Sequence, residues 1–298
     1  MKIHRILLLA ALCLIFACEE SLPEPDLSKY PKLMEMEYFS GRKDSIQFLY
    51  DEQGRLSELI FDEVEGKNMG RRFIYDGNGR LIRQIENSAF FAAIALGMIE
   101  KTFEYQYDGQ GRIIKEVLLE DNRLWRTYGG GEEWEENQRF DEPKDVLGFT
   151  YHPDGRLHTF QVFNEFNHLP EEIRISYLES DTSLTAEYFR EDTQNPQQLQ
   201  NYLTLYLLEV DERKNPFYEL SQKLKIPLTI YLSFEAKLDL VHSLTSQNPM
   251  VYLKALKLTP FQEYNSSFTY SYTTQDLPER ISRPFQSGSD PIVYRFEY

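Results

Sequence analysis

One phrase recurs four times and leaves the backbone little freedom. Phe48-x-Tyr50-Asp51 is followed by Gly54-Arg55-Leu56, and Phe73-x-Tyr75-Asp76 by Gly79-Arg80-Leu81. Tyr105-x-Tyr107-Asp108 leads to Gly111-Arg112-Ile113. Phe149-x-Tyr151-His152 leads to Asp154-Gly155-Arg156-Leu157, with the acid moved beside the glycine. Before each turn the apolar residues alternate (Ile46, Phe48, Tyr50; Phe103, Tyr105, Tyr107), the period of a strand with one buried face. The Asp side chain can accept a backbone N–H two residues on and start a turn. Glycine then takes the positive φ that closes a three- to five-residue hairpin loop. Aliphatic residues restart the next strand. The set Asp51, Gly54, Arg55, Asp76, Gly79, Arg80, Asp108, Gly111, Arg112, Gly155 and Arg156 therefore reads as structural. Each Arg is expected to cross to its Asp or to lie over a Tyr ring.

The phrase resembles the YD repeats of Rhs-type proteins and, more closely, YD-repeat-like lipoproteins of the Bacteroidota. Later segments are similar to that group too: Asp211-x-x-Lys214-Asn215-Pro216-Phe217, Ser246-Gln247-Asn248-Pro249, Asn167-x-Leu169-Pro170, and Tyr270-Ser271-Tyr272 before Leu277-Pro278. The group is a domain of unknown function with a porin-like fold. The resemblance thus implies a curved antiparallel sheet or barrel and no activity. The glycines of successive copies are 25, 32 and 44 residues apart, so a regular solenoid is not expected. Nor is a lipid-facing wall expected: the outward partners Glu104, Gln106, Arg174, Ser176, Thr269, Ser271, Arg295 and Glu297 are polar, where a membrane barrel shows an apolar band.

The amino terminus gives an address. Lys2 and Arg5 precede a 12-residue apolar run (residues 6–17) and then Cys18. As a helix the run spans roughly 18 Å, too short for a hydrocarbon core of about 30 Å. Ile15-Phe16-Ala17-Cys18 resembles the bacterial lipobox, which implies a signal peptide over residues 1–17 and acyl chains on Cys18, each CH₂ worth about 0.8 kcal/mol of membrane affinity. The competing reading is an ordinary signal peptide with Cys18 incidental. Residues 18–35 read as the lipidated cysteine and an acidic tether, with Glu19, Glu20, Glu24 and Asp26. Such acids after the cysteine resemble a signal for export to the cell surface; the alternative is a tether facing the periplasm. Residues 36–298 form one β-rich domain, with an inserted region around residues 196–258. Without Lys2 and Arg5 the chain keeps 30 basic residues against 48 acidic, a net charge of −18, which excludes nucleic acid as a partner. Cys13 and Cys18 are the two cysteines, so no disulfide staples the body.

Some segments break the alternation. Residues 88–99 are small and apolar and are expected to form a short helix plugging the concave face; the alternative is an exposed hydrophobic lip. Residues 220–225 and 253–258 read as short helices. Trp125, Tyr128 and Trp134 surround Gly129-Gly130-Gly131 and are the candidate ligand-binding residues, since aromatic faces stack on sugar rings beside acids. The alternative is a hairpin with structural tryptophans. His152 and His158 flank a turn and could share a metal, but their placement across a hairpin suggests side chains turned to solvent. No His-Glu-x-x-His, Gly-x-Ser-x-Gly or phosphate-loop pattern occurs.

The sequence thus predicts an all-β protein: an antiparallel meander of YD-like hairpins forming a curved sheet or barrel-like body with a few short helical insertions. It predicts an outer-membrane lipoprotein at the cell surface, anchored by lipid. Its role is a non-catalytic scaffold for an unknown protein or glycan partner. The alternatives are a glycan-binding accessory of a nutrient-uptake system and an extracellular hydrolase. No cofactor and no metal are expected.

Overall fold

The computed structural model describes residues 26–38, 40–64, 66–91, 95–127, 133–163, 171–177, 184–191, 199–210, 213, 218, 220, 250–258, 261–283 and 292–298. Cys18 and the leader lie outside the described residues. The described residues are nearly all antiparallel β. The strands are β1 (Leu33–Glu37), β2 (Lys43–Tyr50), β3 (Leu56–Val64), β4 (Lys67–Tyr75), β5 (Leu81–Phe91) and β6 (Ala95–Tyr107). Then come β7 (Ile113–Thr127), β8 (Glu133–Tyr151), β9 (Leu157–Val162), β10 (Glu171–Tyr177), β11 (Leu184–Glu191) and β12 (Leu199–Val210). The last are β13 (Met250–Leu258), β14 (Phe261–Ser267), β15 (Thr269–Tyr272), β16 (Pro278–Arg283) and β17 (Ile292–Glu297).

The topology is a meander in which strands adjacent in sequence are adjacent in the sheet. β14 and β15 are two pieces of one path, split at Phe268. The first pairs with β13 and the second with β16. The sheet curves round until β17 lies against β1, which also pairs with β2. Met34 sits at this seam, opposite Phe296 on one side and Ile46 on the other, and all three are buried. Hydrogen-bonding the first strand to the last covers two edges that would otherwise invite association.

The inward residues make one apolar cluster. Phe48, Leu59, Phe73, Tyr105, Ile113, Phe149, Phe160, Ile175, Tyr188, Ile281 and Phe296 all belong to it. These are the inward members of the alternation that the repeats announce. Leu220, between β12 and β13 in sequence, joins the cluster. Where β3 and β4 shift register near Asp62, the backbones approach so closely that a Cβ on Gly70 would stand 1.9 Å from the Leu59 carbonyl oxygen.

Two helical readings are corrected. Residues 88–91 and 95–99 extend the β5–β6 hairpin, with Ser88 opposite Ile99 and Phe91 opposite Leu96. Both strands are already paired below, so prolonging the ladder satisfies each new backbone group at once, whereas a helix would have to nucleate afresh. Residues 253–258 lie within β13, between β12 and β14. The leucine spacing there suits a helix, but two waiting strand edges override that weak local preference. The ends of the 196–258 stretch are thus sheet strands. Between them only Arg213, Tyr218 and Leu220 are described, the last two helical.

Candidate functional site

The repeats build one rim of the sheet. In the first, Gly54 N–H donates to the Asp51 carbonyl at 2.8 Å and Asp51 N–H to the Arg55 carbonyl at 2.9 Å. Asp51 Oδ1 accepts from the N–H groups of Gln53 (3.0 Å) and Arg55 (2.9 Å), and Oδ2 from Arg55 Nε at 2.7 Å. Asp76 and Asp108 repeat this set with Arg80 and Arg112. The glycines carry φ of 72° (Gly54), 78° (Gly79), 75° (Gly111) and 89° (Gly155), the left-handed conformation that lets a three-residue loop join twisted strands. The Arg80 and Arg112 backbone N–H groups hold the carboxyls of Asp76 and Asp108 below the usual carboxylate range. A fifth turn appears at residues 273–277, where Thr273 Oγ1 replaces the carboxylate and Asp276 takes the glycine place with φ 59°.

Each turn is also fastened to its neighbour. Arg55 lies 4.4 Å over the ring of Tyr75, Arg80 4.8 Å over Tyr107, Arg112 4.6 Å over Tyr151 and Arg156 4.2 Å over Tyr177. Each Arg therefore meets both expected partners, the Asp of its own turn and the Tyr of the next. In return, Tyr75 Oη donates to the Leu56 carbonyl at 2.7 Å, Tyr107 to Leu81, and Tyr151 to Ile113 at 2.6 Å. Tyr50 reaches Pro31 and Tyr298 reaches Pro278, both at 2.8 Å. Burial pushes all these phenols up, Tyr107 and Tyr177 to about 12. These groups are spent on the architecture.

The fourth copy departs. His152 stands where the others have Asp. Asp154 instead accepts from Arg156 N at 3.0 Å and Nε at 2.8 Å. The His152 ring is half-buried, 4.4 Å from the ring of exposed His158, with Nε2 3.1 Å from the Ile175 carbonyl oxygen. The expectation that both rings point to solvent holds for exposed His158 and is corrected for His152, whose half-buried ring lies against that of His158.

Above the apolar rows, the inner wall of β4–β7 turns polar. Phe73, Gln84, Phe103 and Leu118 form one cross-strand row. The next row from the rim is Arg71, Glu86, Lys101 and Asp121, alternating in charge strand by strand. Arg71 pairs with Glu86 at 2.9 Å, and Asp121 with Arg123 at 2.8 Å. Opposite charges directly across a ladder attract, so the row neutralises itself. Gln84, Glu116 and Asp121 are buried, and Tyr105 Oη donates to Gln84 Oε1 at 3.0 Å. Sequence reading missed this wall. Its signal was available: counting back in twos from Phe103 reaches Lys101, an inward position holding a charge.

Trp125 lies farther along β7, two and four residues past Arg123 and Asp121, on the same face. It is half-buried and sits opposite Trp134 in the ladder. The ladder thus sets the two tryptophan positions opposite each other across a hairpin. Tyr128 and the glycines of the loop lie outside the described residues, as do His168 and His242. Among the described residues, no group of three or more His, Cys, Asp or Glu side chains is placed to hold a metal, and no helix is long and apolar enough to cross a membrane.

No family model matches the chain, and no curated protein matches it. Solved structures of similar shape include a porin-like protein from Bacteroides uniformis, at 11% identity and TM-score 0.46, covering 92% of this chain and 98% of that one. A porin-like protein from Bacteroides vulgatus follows at 9% identity and TM-score 0.38, covering 90% and 98%. The TcdB2-TccC3 structure matches at 10% identity and TM-score 0.28 over 87% of this chain and 13% of that one. Likenesses this distant carry no argument about activity.

Proposed function

We propose that the chain is a lipid-anchored lipoprotein of the cell surface that presents a non-catalytic β scaffold to an external partner. The observation that carries this reading is where the tether meets the body. Lys32 N–H donates to the Glu297 carbonyl at 2.6 Å, and Tyr30 packs 5.9 Å from Tyr50, at the rim. An anchor at Cys18 would join the body on the rim side, at the end of the sheet opposite the tips of the long β5–β8 hairpins. The rim's Asp, Arg and Tyr groups are engaged with one another, which leaves those hairpins to make partner contacts. Mass spectrometry of the native N-terminus should find diacylglycerol on Cys18, and protease applied to intact cells should remove the body. A thiol without fatty adduct, or full-length protein surviving on shaved cells, overturns the reading.

A second reading has its own support. The neutralised charge row ending at Asp121, with Arg123 and Trp125 beside it, offers donors, acceptors and an aromatic face to a hydroxyl-rich ligand. A glycan-binding accessory protein would use that combination. A glycan array on which Trp125→Ala binds as the natural chain does would eliminate this version.

A further inference from the structure

The fourth hairpin differs from its siblings in a way that hydrogen bonding alone does not require. Thr273 shows that a neutral side chain can fill the same turn position, and Asp154 already caps the Arg156 N–H. Yet a His occupies the place, and a second His faces it from β9. The geometry points to a site for a late transition-metal ion of the copper(II) or nickel(II) type, held by one nitrogen from each of His152 and His158.

The first support is the fixed tautomer. A carbonyl oxygen only accepts, so His152 Nε2 carries the proton it donates to Ile175 at 3.1 Å. Its Nδ1 then keeps a lone pair. Metal-ligating imidazoles are held in this way, with the far N–H tied to a carbonyl or carboxylate. The edge of the His152 ring against Tyr177, 5.7 Å between centroids, limits its rotation further.

The second support is spacing. Two imidazoles on one ion at about 2.1 Å, with a bite of roughly 90°, have ring centres about 4.5 Å apart, while a tetrahedral bite spreads them to about 5.2 Å. The observed separation is 4.4 Å with the planes tilted by 50°. Square-planar or tetragonal coordination by nitrogen and oxygen marks copper(II) and nickel(II). Two protein nitrogens leave the remaining positions to water.

The third support is charge. Asp154 and Glu172 are the carboxylates electrostatically coupled to the pair, the first to His152 and the second to His158. The nearest cations are already matched: Arg156 pairs with Asp154 at 2.7 Å and Arg174 with Glu172 at 2.5 Å. Each of these arginines thus has a carboxylate of its own beside the pair.

The test is a titration of the purified full-length protein with copper(II) chloride, followed by calorimetry and by electron paramagnetic resonance. One saturable site with hyperfine structure from two imidazole nitrogens is expected. His158→Ala should weaken it at least about tenfold, and the double variant His168→Ala, His242→Ala should leave it intact. His158 is exposed, so a circular dichroism spectrum matching the natural chain is expected for its variant. No saturable uptake, a spectrum with one nitrogen or none, or binding that follows His168 and His242 instead would overturn the assignment.

Discussion

The two ends of the sheet solve opposite problems with the same strands. At the rim, polar side chains are used up: Asp51, Asp76 and Asp108 grip their own turns, the arginines cover the next tyrosines, and the phenols reach back to carbonyls. On the inner wall of β4–β7, polar groups are neutralised but still face the interior, as in the row from Arg71 to Asp121. An exposed ion pair or a cation–π contact is worth only about 0.5–1 kcal/mol. The rim gains from linking many such contacts in series over a dry core. The wall's charges pair across and along the strands, Arg71 with Glu86 and Asp121 with Arg123, and add little stability.

From that contrast, core loss beneath the rim should dominate. Phe149→Ala removes a ring packed 5.3 Å from Phe160 and should lower stability by about 3–5 kcal/mol in urea unfolding, with Trp125→Ala losing less than half as much. Equal losses would erase the distinction. Gly70→Ala comes next, about 2–3 kcal/mol, because neither the Leu59 backbone nor a φ of 156° accommodates a Cβ. Tyr151→Phe strips one staple and should remove about 1 kcal/mol, with faster hydrogen exchange confined to the neighbouring turns.

The same phenols set an alkaline limit. Their folded pKa values lie above the unfolded value, so the stability they contribute is whole below about pH 10. It is lost as pH rises through the folded values, the lowest of which are about 12 for Tyr107 and Tyr177. Melting temperature followed through that window should fall, and fall less steeply in Tyr107→Phe. The smallest effect runs the other way. Asp276 holds φ 59° where the other turns have glycine, so Asp276→Gly should add about 0.5–1 kcal/mol. A decrease would mean that the contact of Arg213 with Asp276, at 3.5 Å, outweighs the backbone strain.

How much of this was legible follows from the range of each interaction. Asp51, Gly54 and Arg55 lie within one turn, so their roles could be read from spacing. That Arg55 covers Tyr75 and not Tyr50 depends on how neighbouring hairpins stagger, which no local pattern encodes. The charges of the inner wall could be reached by counting in twos from Phe103, but β6 and β7 carry polar residues on both faces, which weakens the contrast that draws attention to such a count. Leu253, Leu256 and Leu258 looked helical because leucine spacing says nothing about the two strand edges between which β13 fits. The six-residue spacing of His152 and His158 was open to inspection, but the contacts that orient the first ring, with the Ile175 carbonyl and Tyr177, come from β10, which no local pattern encodes.

The seam between β1 and β17 has a kinetic consequence. Arg295 Nη1 donates to Glu37 Oε2 at 2.7 Å across 258 positions of sequence. A chain leaving the ribosome holds β1 long before β17, the second neighbour of that strand, has been made. Until then Met34 and Met36 have one flank uncovered. Loop closure over such a distance is slow, and open edges attract other chains meanwhile. Completion should therefore be a late, concentration-sensitive step that benefits from an escort.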